Sequence, residues 1–372
     1  MSTNLRIRAR ALALPIAAGV LLAGVHATLA ETSSWESRVD GPAAPLDRKK
    51  PGAKAPVKTI KTLPSADGKQ APAPAAPPAA GSAHAKAAAP PGDDAAYEAF
   101  DQGQYLTALE LAVKAAERGE PTAHTLVARI YAEGLGTSKN TPLAAQWYAR
   151  GAEFGVAEAM FAYGLMLAEG AGIEKDRKEA AQFLEAAAAK RHPLANYNLA
   201  LLFLTGDGKP QNPYRAFMHM RFAAESGVVT AQYDLGTMYA TGQGTDHNAF
   251  EAAKWIAKAA EKGHTEAQID YALILFRGHG VPPDVKSGAE YFRRAAEKGA
   301  ATAQNRLARC YAHGAGVDKN LVEAAKWNFI ARAGGIEDEV LDKMLAKLSR
   351  TDRGKAQAAA DQWRDRTMLG VE

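Results

Sequence analysis

The amino-acid sequence predicts an all-α protein, a right-handed α-solenoid of stacked helical hairpins, with six 36-residue repeats between terminal caps. Three observations predict this fold. A glycine-rich pattern returns every 36 residues without a slip. Apolar residues inside each unit follow a helical period, and no segment shows the alternation typical of a β-strand. A fixed period of this size is typical of stacked units that bury their apolar faces against one another.

The repeat is clearest at its glycine pair. The stretch GQGTDHNAFEAAKW, residues 242–255, has equivalents that begin at 134, 170, 206, 278 and 314. A nucleotide-binding glycine loop occurs once and follows a β-strand. Because this pattern occurs six times between helical segments, we interpret the glycines as structural and not as a phosphate site.

Each unit is predicted to form two helices, A and B. In the fourth unit, Ala231, Leu235, Met238 and Tyr239 recur at the i, i+4, i+7 and i+8 positions of one helical face. Residues 252–260 repeat this spacing after the glycine pair. A hairpin of two amphipathic helices accounts for both patterns.

The turn residues indicate where the helices end and begin. Gly242 is placed to end helix A with a left-handed backbone, which costs other residues about 1–2 kcal/mol. Asn248 is placed to cap helix B through its side-chain oxygen, which is worth about 1 kcal/mol. We therefore predict that both residues serve structure only. An aromatic column, with His219 as its one departure, is expected to cover the hairpin junctions: Trp147, Phe183, Trp255, Tyr291 and Trp327.

Residues 1–30 have the order of a secretory signal peptide. Arg6, Arg8 and Arg10 precede the apolar run ALALPIAAGVLLAGV, and small residues follow it. We expect cleavage after Ala27 or Ala30, and a periplasmic or secreted protein. An uncleaved membrane anchor is the alternative, although the run is shorter than the ~20 residues that span a bilayer comfortably.

Residues 31–92 are predicted to form a disordered tether rich in Pro, Ala and Lys. Large apolar residues are sparse there, so the segment cannot bury enough surface to offset its conformational entropy. Lys and Arg outnumber Asp and Glu by 12 to 5 over residues 1–92, whereas residues 93–372 carry 33 against 36. The predicted folded part is near neutral, and no basic stripe predicts binding to nucleic acid.

The combined pattern resembles the Sel-1-like repeat family, a relative of tetratricopeptide repeats. It reads A-x-x-x-L-G-x-M-Y-x-x-G-x-G, then Asn or Asp, then A-A-x-W and A-A-x-x-G, and six full units cover residues 120–335. Residues 93–119 resemble a shorter tetratricopeptide hairpin that starts the stack. Residues 336–372 depart from the pattern and are predicted to be capping helices, with Thr351 as an N-cap. The resemblance implies an exported bacterial adaptor or scaffold, of a kind associated with envelope signalling or exopolysaccharide production.

No residue pattern predicts catalysis, so we predict no catalytic residue, no metal site and no cofactor. The chain has no G-x-S-x-G, no S-x-x-K with a downstream K-T-G, and no H-E-x-x-H. His279 and His313 occupy similar turn positions but lack an acidic or cysteine partner at ligand spacing. Cys310, the sole cysteine, lies in an apolar column and is expected to be a buried hydrophobe. An envelope hydrolase of β-lactam type is the alternative that the resemblance leaves open.

One face of helix A is more apolar than a solvent-facing surface requires. The end repeats place Thr125, Arg129, Asn305 and Arg309 on this face, which lies nearly opposite the core residues at 100° per residue. In related tetratricopeptide solenoids this face lines the concave surface, so the resemblance implies a groove for a peptide or helix. Burial against neighbouring repeats is the alternative. The middle repeats place nine residues there: Phe161, Leu165, Tyr197, Leu201, Leu204, Tyr233, Ile269, Leu273 and Phe276.

The sequence therefore predicts a binding scaffold and not an enzyme. We expect a periplasmic adaptor that binds a peptide or helix of an envelope protein in this groove. Nucleic acid is not an expected partner, and no membrane span is expected once the leader is cleaved.

Overall fold

The computed structural model describes the backbone of residues 93–369 and the side chains of residues 95–367. The predicted signal peptide and tether lie outside the described residues. The described part contains sixteen helices and no strand. The helices are α1 (Asp93–Asp101), α2 (Tyr105–Glu117), α3 (Pro121–Glu133), α4 (Thr141–Glu153), α5 (Ala157–Glu169), α6 (Arg177–Ala189), α7 (Pro193–Thr205), α8 (Pro213–Glu225), α9 (Val229–Thr241), α10 (Ala249–Glu261), α11 (Thr265–Arg277), α12 (Val285–Glu297), α13 (Ala301–His313), α14 (Leu321–Ala333), α15 (Glu339–Leu345) and α16 (Arg350–Leu369).

The helices pack in sequence order. The most extensive contacts join α3 with α4, α5 with α6, and so on to α13 with α14, and each pair also packs against the next pair along the chain. The odd-numbered members, α3 to α13, are the A helices, and the even-numbered members, α4 to α14, are the B helices. This arrangement confirms the predicted all-α solenoid of stacked hairpins.

The core runs along the whole stack because each A helix carries a buried alanine at its third position. An alanine here lets two helices approach closely without losing helix propensity. The six alanines have no exposed surface: Ala123, Ala159, Ala195, Ala231, Ala267 and Ala303.

Cys310 is buried, as predicted, and burial raises the pKa of its thiol to about 12.

The turns have the predicted chemistry. Gly242 follows α9 with φ 72°, and its N–H donates to the carbonyl of Met238. Asn248 precedes α10, and its Oδ1 accepts the N–H of Glu251 at 3.0 Å. The same two devices recur in all six repeats, so each A helix ends at a left-handed glycine and each B helix begins at a capping Asn or Asp.

Replacing Asn248 by Ala should lower the free energy of unfolding by about 1 kcal/mol, because the Glu251 N–H loses its acceptor. Chemical unfolding followed by circular dichroism measures the change. His247→Ala is the control, since His247 is an exposed neighbour of the cap. Loss of partner binding with an unchanged unfolding curve would mean that the turn is a contact site.

The second glycine of each pair joins one repeat to the repeat before it. Gly244 has φ 74°, and a Cβ on it would overlap the carbonyl oxygen of Pro213 at the start of α8. Gly280 meets the carbonyl of Ala249 in the same way. The first glycine therefore ends a helix, whereas the second lets the backbones of adjacent repeats touch.

The C-terminal cap is built around one buried carboxylate. Asp338 accepts two hydrogen bonds from the Arg309 guanidinium at 2.6 and 2.8 Å, and one from Asn305 Nδ2 at 2.9 Å. It also caps α15 by accepting the Leu341 N–H at 3.1 Å. Burial acts to raise the pKa of Asp338, but these donors outweigh it and hold the pKa below its ordinary value.

The last helix is capped differently from the prediction. Ser349 Oγ accepts the N–H of Asp352 at 3.0 Å, and Thr351 lies inside α16. The prediction of Thr351 as the N-cap is therefore wrong by two residues. Both are hydroxyl residues followed by polar ones, so composition alone does not separate them.

Candidate partner-binding surface

Each A helix leaves one strip of side chains partly uncovered. Its second, sixth, ninth and thirteenth residues point away from the paired B helix, and nearly all of them keep some exposure. We call this strip in α5, α7, α9 and α11 the A-helix ribbon. Its members are Glu158, Ala162, Leu165 and Glu169; Leu194, Asn198, Leu201 and Thr205; Thr230, Asp234, Thr237 and Thr241; and Glu266, Asp270, Leu273 and Arg277.

Hydrogen bonds between repeats join the ribbon across α7, α9 and α11. The Tyr197 hydroxyl donates to Asp234 Oδ2 at 3.0 Å, and the Tyr233 hydroxyl donates to Asp270 Oδ2 at 2.8 Å. Each bond joins the fifth residue of one A helix to the sixth residue of the next. Equivalent ribbon positions of successive repeats therefore lie side by side.

Three of the nine residues predicted to bind a partner lie between A helices. Phe161, Tyr197 and Tyr233 are only 5%, 8% and 7% exposed. The Phe161 ring stacks on His192 at a centroid distance of 4.6 Å, and the Tyr233 ring stacks on His264 at 4.8 Å. These side chains join neighbouring repeats and have little surface left for a partner.

The other six residues are partly buried at the edge of the core. Leu165, Leu201 and Leu273 are the ninth residues of their helices and belong to the ribbon. Leu204, Phe276 and Ile269 flank it, and all six pack against buried clusters while keeping some exposure. The predicted face thus has two parts: buried side chains that pack between repeats, and a partly exposed line of apolar side chains. Binding by these residues remains a prediction.

The ends of this face are occupied by other parts of the chain. In α3, the Arg129 guanidinium lies 4.6 Å from the centre of the Phe100 ring and bonds Glu133 at 2.9 Å. In α13, Arg309 is held by Asp338. Arginine stands in both end repeats at the position that is leucine in α5, α7 and α11, so the apolar line is limited to the central repeats.

The ribbon also carries charges that were not singled out from the sequence. Asp234 and Asp270 are the sixth residues of α9 and α11, next to the tyrosines that they bond. Burial raises the pKa of Asp270, and nearby Glu266 raises it further, while the Tyr233 hydroxyl and Arg277 lower it. A search for tyrosine and aspartate 37 residues apart would have found both pairs in the sequence.

Comparison with known proteins identifies the repeat. The family model described as Sel1 repeat matches more than half of the chain, over residues 121–155, 157–192, 193–228, 229–264, 265–299 and 301–327. The chain belongs to the Sel1 repeat family. Among curated proteins, no sequence is significantly similar to it.

Solved structures are similar to this Sel1 repeat protein to different degrees. A Sel1 repeat protein from Oxalobacter formigenes is 30% identical, with a TM-score of 0.57, over 66% of this chain and 97% of that one. A protective antigen of uropathogenic Escherichia coli with an SLR fold is 23% identical over 75% of this chain and 71% of that one, with a TM-score of 0.49. An immunity protein from Pseudomonas aeruginosa is 19% identical over 55% and 81% of the two chains, with a TM-score of 0.37.

A column of buried amides fixes four Sel1 A helices, α7, α9, α11 and α13, to the preceding B helix. Gln232 Nε2 donates to the carbonyl of Ala224 at 3.1 Å, and Asn196, Gln268 and Gln304 make the equivalent bond. The exception in the aromatic column belongs to this system, because His219 Nδ1 lies 2.9 Å from Asn196 Oδ1. Burial lowers the pKa of His219, and the neutral ring donates from Nδ1 to the amide oxygen. His219 thus adds a hydrogen bond to its ring contact, because it also stacks on Phe203 at a centroid distance of 5.7 Å.

The described part of the Sel1 repeat protein has neither a candidate metal site nor a membrane-spanning helix. Over the residues with described side chains, no group of three or more His, Cys, Asp or Glu is close enough to hold a metal ion. His279 and His313 are both exposed. None of the helices described here is long and apolar enough to cross a membrane.

Replacing Asp270 by Asn should raise the melting temperature of the Sel1 repeat protein at pH 7. A carboxyl with a raised folded-state pKa contributes stability that is present below its unfolded pKa and is lost as the pH rises through the folded value. Asn stays neutral and can still accept from Tyr233, so its advantage should shrink towards zero as the pH falls through about 3.8, where the carboxyl of the unfolded chain also becomes protonated. Thermal melts at pH 7 and pH 3.5 measure this difference.

Asp246→Asn, in an exposed turn, is the matched control for Asp270→Asn. It should leave the melting temperature nearly unchanged at both pH values. A lower melting temperature for Asp270→Asn at pH 7 would show that the ionised carboxylate is a net stabiliser of the stack.

Proposed function

We propose that this Sel1 repeat protein is an exported adaptor whose A-helix ribbon binds a segment of a protein partner. Sel1 repeat folds generally serve as protein–protein interaction scaffolds. The observation that carries the proposal is the line formed by Leu165, Leu201 and Leu273, which are partly exposed at one helical position in three of the four central repeats. Apolar side chains in line on a rigid surface are typical of sites that receive a peptide or helix.

The packing behind this line favours binding. Leu165 and Leu201 pack against the buried cluster of α5 to α10, and Leu273 packs against the buried cluster of α11 to α16. Side chains that are already held by a core lose little further rotamer freedom when a partner covers them. A partner can therefore cover the remaining exposed area of these leucines at a low entropic cost.

The cellular location of the protein is proposed from its leader sequence. Arginines, an apolar run and small residues over 1–30 support export to the periplasm, where an envelope protein would be the partner. Regulation of envelope signalling or of exopolysaccharide production is the role that we propose for the complex. Nothing in the described residues favours the β-lactam hydrolase alternative.

Site-specific photo-crosslinking in envelope extracts tests the proposal. A crosslinking residue placed at Thr237, in the middle of the ribbon, should capture one discrete protein. The same residue at Phe250 is the control, because Phe250 is 59% exposed at the start of a B helix and lies outside the ribbon. Equal capture at both positions would contradict a ribbon-specific partner.

A triple variant separates binding from folding. Leu165→Ser, Leu201→Ser and Leu273→Ser together should abolish the crosslink from Thr237, and circular dichroism checks that the helices remain folded. Tyr214→Ser with Phe250→Ser is the matched apolar control, since both side chains are more than half exposed outside the ribbon. A crosslink that survives the triple variant would place the partner elsewhere on the protein.

A further inference from the structure

We infer that the segment bound by the A-helix ribbon is basic as well as apolar, with lysine or arginine side chains placed among its apolar ones. This inference rests on the proposed function, because it assigns the chemistry of the partner at the same surface.

The charged residues of the ribbon are mostly acidic. Its sixteen positions hold five carboxylates and one arginine, Arg277. The acidic residues stand within one or two helical turns of the apolar line, since Asp270 precedes Leu273 by three residues and Glu169 follows Leu165 by four. A segment whose apolar side chains reach the leucines would bring its charges next to these carboxylates. The five acidic residues are Glu158, Glu169, Asp234, Glu266 and Asp270.

Several donors that contact these carboxylates from within the chain are not permanent cations. Asp234 and Asp270 accept hydrogen bonds from the Tyr197 and Tyr233 hydroxyls. Glu158 lies 2.7 Å from His192 Nε2, and an imidazole is charged only when it is protonated. Such contacts position the carboxylates, and five acidic residues against one arginine give the ribbon a net negative charge.

The acidic stretch has a defined extent. Arg129 in α3 lies before it and is paired with Glu133, while Arg306 and Arg309 in α13 lie after it, so the excess of carboxylates is confined to the central repeats. Three spacings of roughly 8–10 Å separate the axes of the four A helices, so the ribbon spans roughly 24–30 Å. At about 3.3 Å per residue, an extended segment of roughly 7–9 residues would cover this distance.

Asp270 supports the inference independently of the charge pattern. Burial makes the ionised form of this carboxyl costly, as its raised pKa shows. We therefore expect Asp270 to cost stability, and a residue of that kind is more readily explained by binding than by folding. A cation brought beside Asp270 by a partner would favour the ionised form and offset that cost.

Selection from displayed random 12-residue peptides, with the full chain immobilised, tests the inference. We expect the selected peptides to combine Lys or Arg with Leu, Ile or Phe. Their affinity should fall several-fold between 50 and 300 mM NaCl, because salt screens partly exposed charges. Peptides that are acidic, or that lack Lys and Arg, would overturn the inference.

Charge-neutralising variants complete the experiment. Glu158→Gln with Glu266→Gln should weaken the selected peptides roughly five- to tenfold, as expected for two partly exposed ion pairs. Glu174→Gln with Asp246→Asn, at exposed turn positions, should leave binding unchanged. Equal affinities for the two double variants would overturn the inference.

The leucine variants distinguish failure of the inference from failure of the proposed function. Some selected peptides could fail to bind the triple serine variant and yet bind independently of charge and salt. That result would keep the ribbon as a binding site and refute the inference that its partner is basic. Peptides that bind the triple serine variant as well as the original chain, or a selection that yields no peptide, would refute the ribbon itself.

Discussion

Replacing Gly244 with Ala is expected to destabilise the stack by roughly 2–5 kcal/mol, more than the same change at Gly242. At both positions a Cβ meets the strain of a left-handed backbone, about 1–2 kcal/mol. At Gly244 the Cβ would also overlap the Pro213 carbonyl, which is backbone and cannot rotate aside. Forcing the two repeats apart adds a packing cost of about 1–3 kcal/mol.

Gly242→Ala is the matched control for this prediction. A Cβ on Gly242 would find its nearest atom at 3.4 Å, so only backbone strain applies there. Urea unfolding of both variants at equal protein concentration gives the comparison. Equal losses of stability at the two glycines would show that the contact between repeats relaxes freely, contrary to the structure.

The second large effect is expected at the C-terminal cap, where Asp338→Ala should cost roughly 3–4 kcal/mol. The change removes the carboxylate that accepts from Arg309 and Asn305, and it removes the cap of α15. Breaking a buried pair by removing one partner costs about 3–5 kcal/mol. The lower part of this range applies because the Arg309 side chain is 20% exposed and can turn towards water.

The pH dependence of this effect has a definite sign. The pKa of Asp338 is lowered in the folded protein, so its contribution is present above the unfolded pKa and is lost as the pH falls through the folded value. The gap between the original chain and Asp338→Ala should therefore narrow in acid. Glu337→Ala, at an exposed neighbour, is the control and should change little at any pH. A gap that stays constant down to pH 2 would contradict the ionised role of Asp338.

The fold was predictable because six copies of one pattern make each structural requirement visible. A single Gly242 or Asn248 has several explanations, whereas a column of six at the same spacing points to a backbone requirement that every repeat shares. The second glycine was not explained from the sequence. Its contact lies 31 residues away, between Gly244 and Pro213, and helical periodicity within one unit says nothing about contacts between units.

The candidate surface was only partly predictable for a related reason. A helical wheel places each residue relative to one packing partner, but an A helix contacts its own B helix and neighbouring repeats. Tyr197 and Tyr233 point away from the paired B helix and are nevertheless buried, because the next A helix supplies Asp234 and Asp270. These aspartates lie on the same surface, but an apolar pattern does not reveal them because they are charged.

The backbone contact at the second glycine limits how such a protein changes length. Because Gly244 must meet Pro213 and Gly280 must meet Ala249, a residue gained or lost inside a unit would misalign every contact that follows it. A whole unit of 36 residues can be gained or lost without this penalty. The ribbon then gains or loses one A helix with each unit. Duplication of a unit would therefore lengthen the binding surface by the width of one A helix. Such a protein could evolve the reach of its recognition surface without altering the contacts that hold it together.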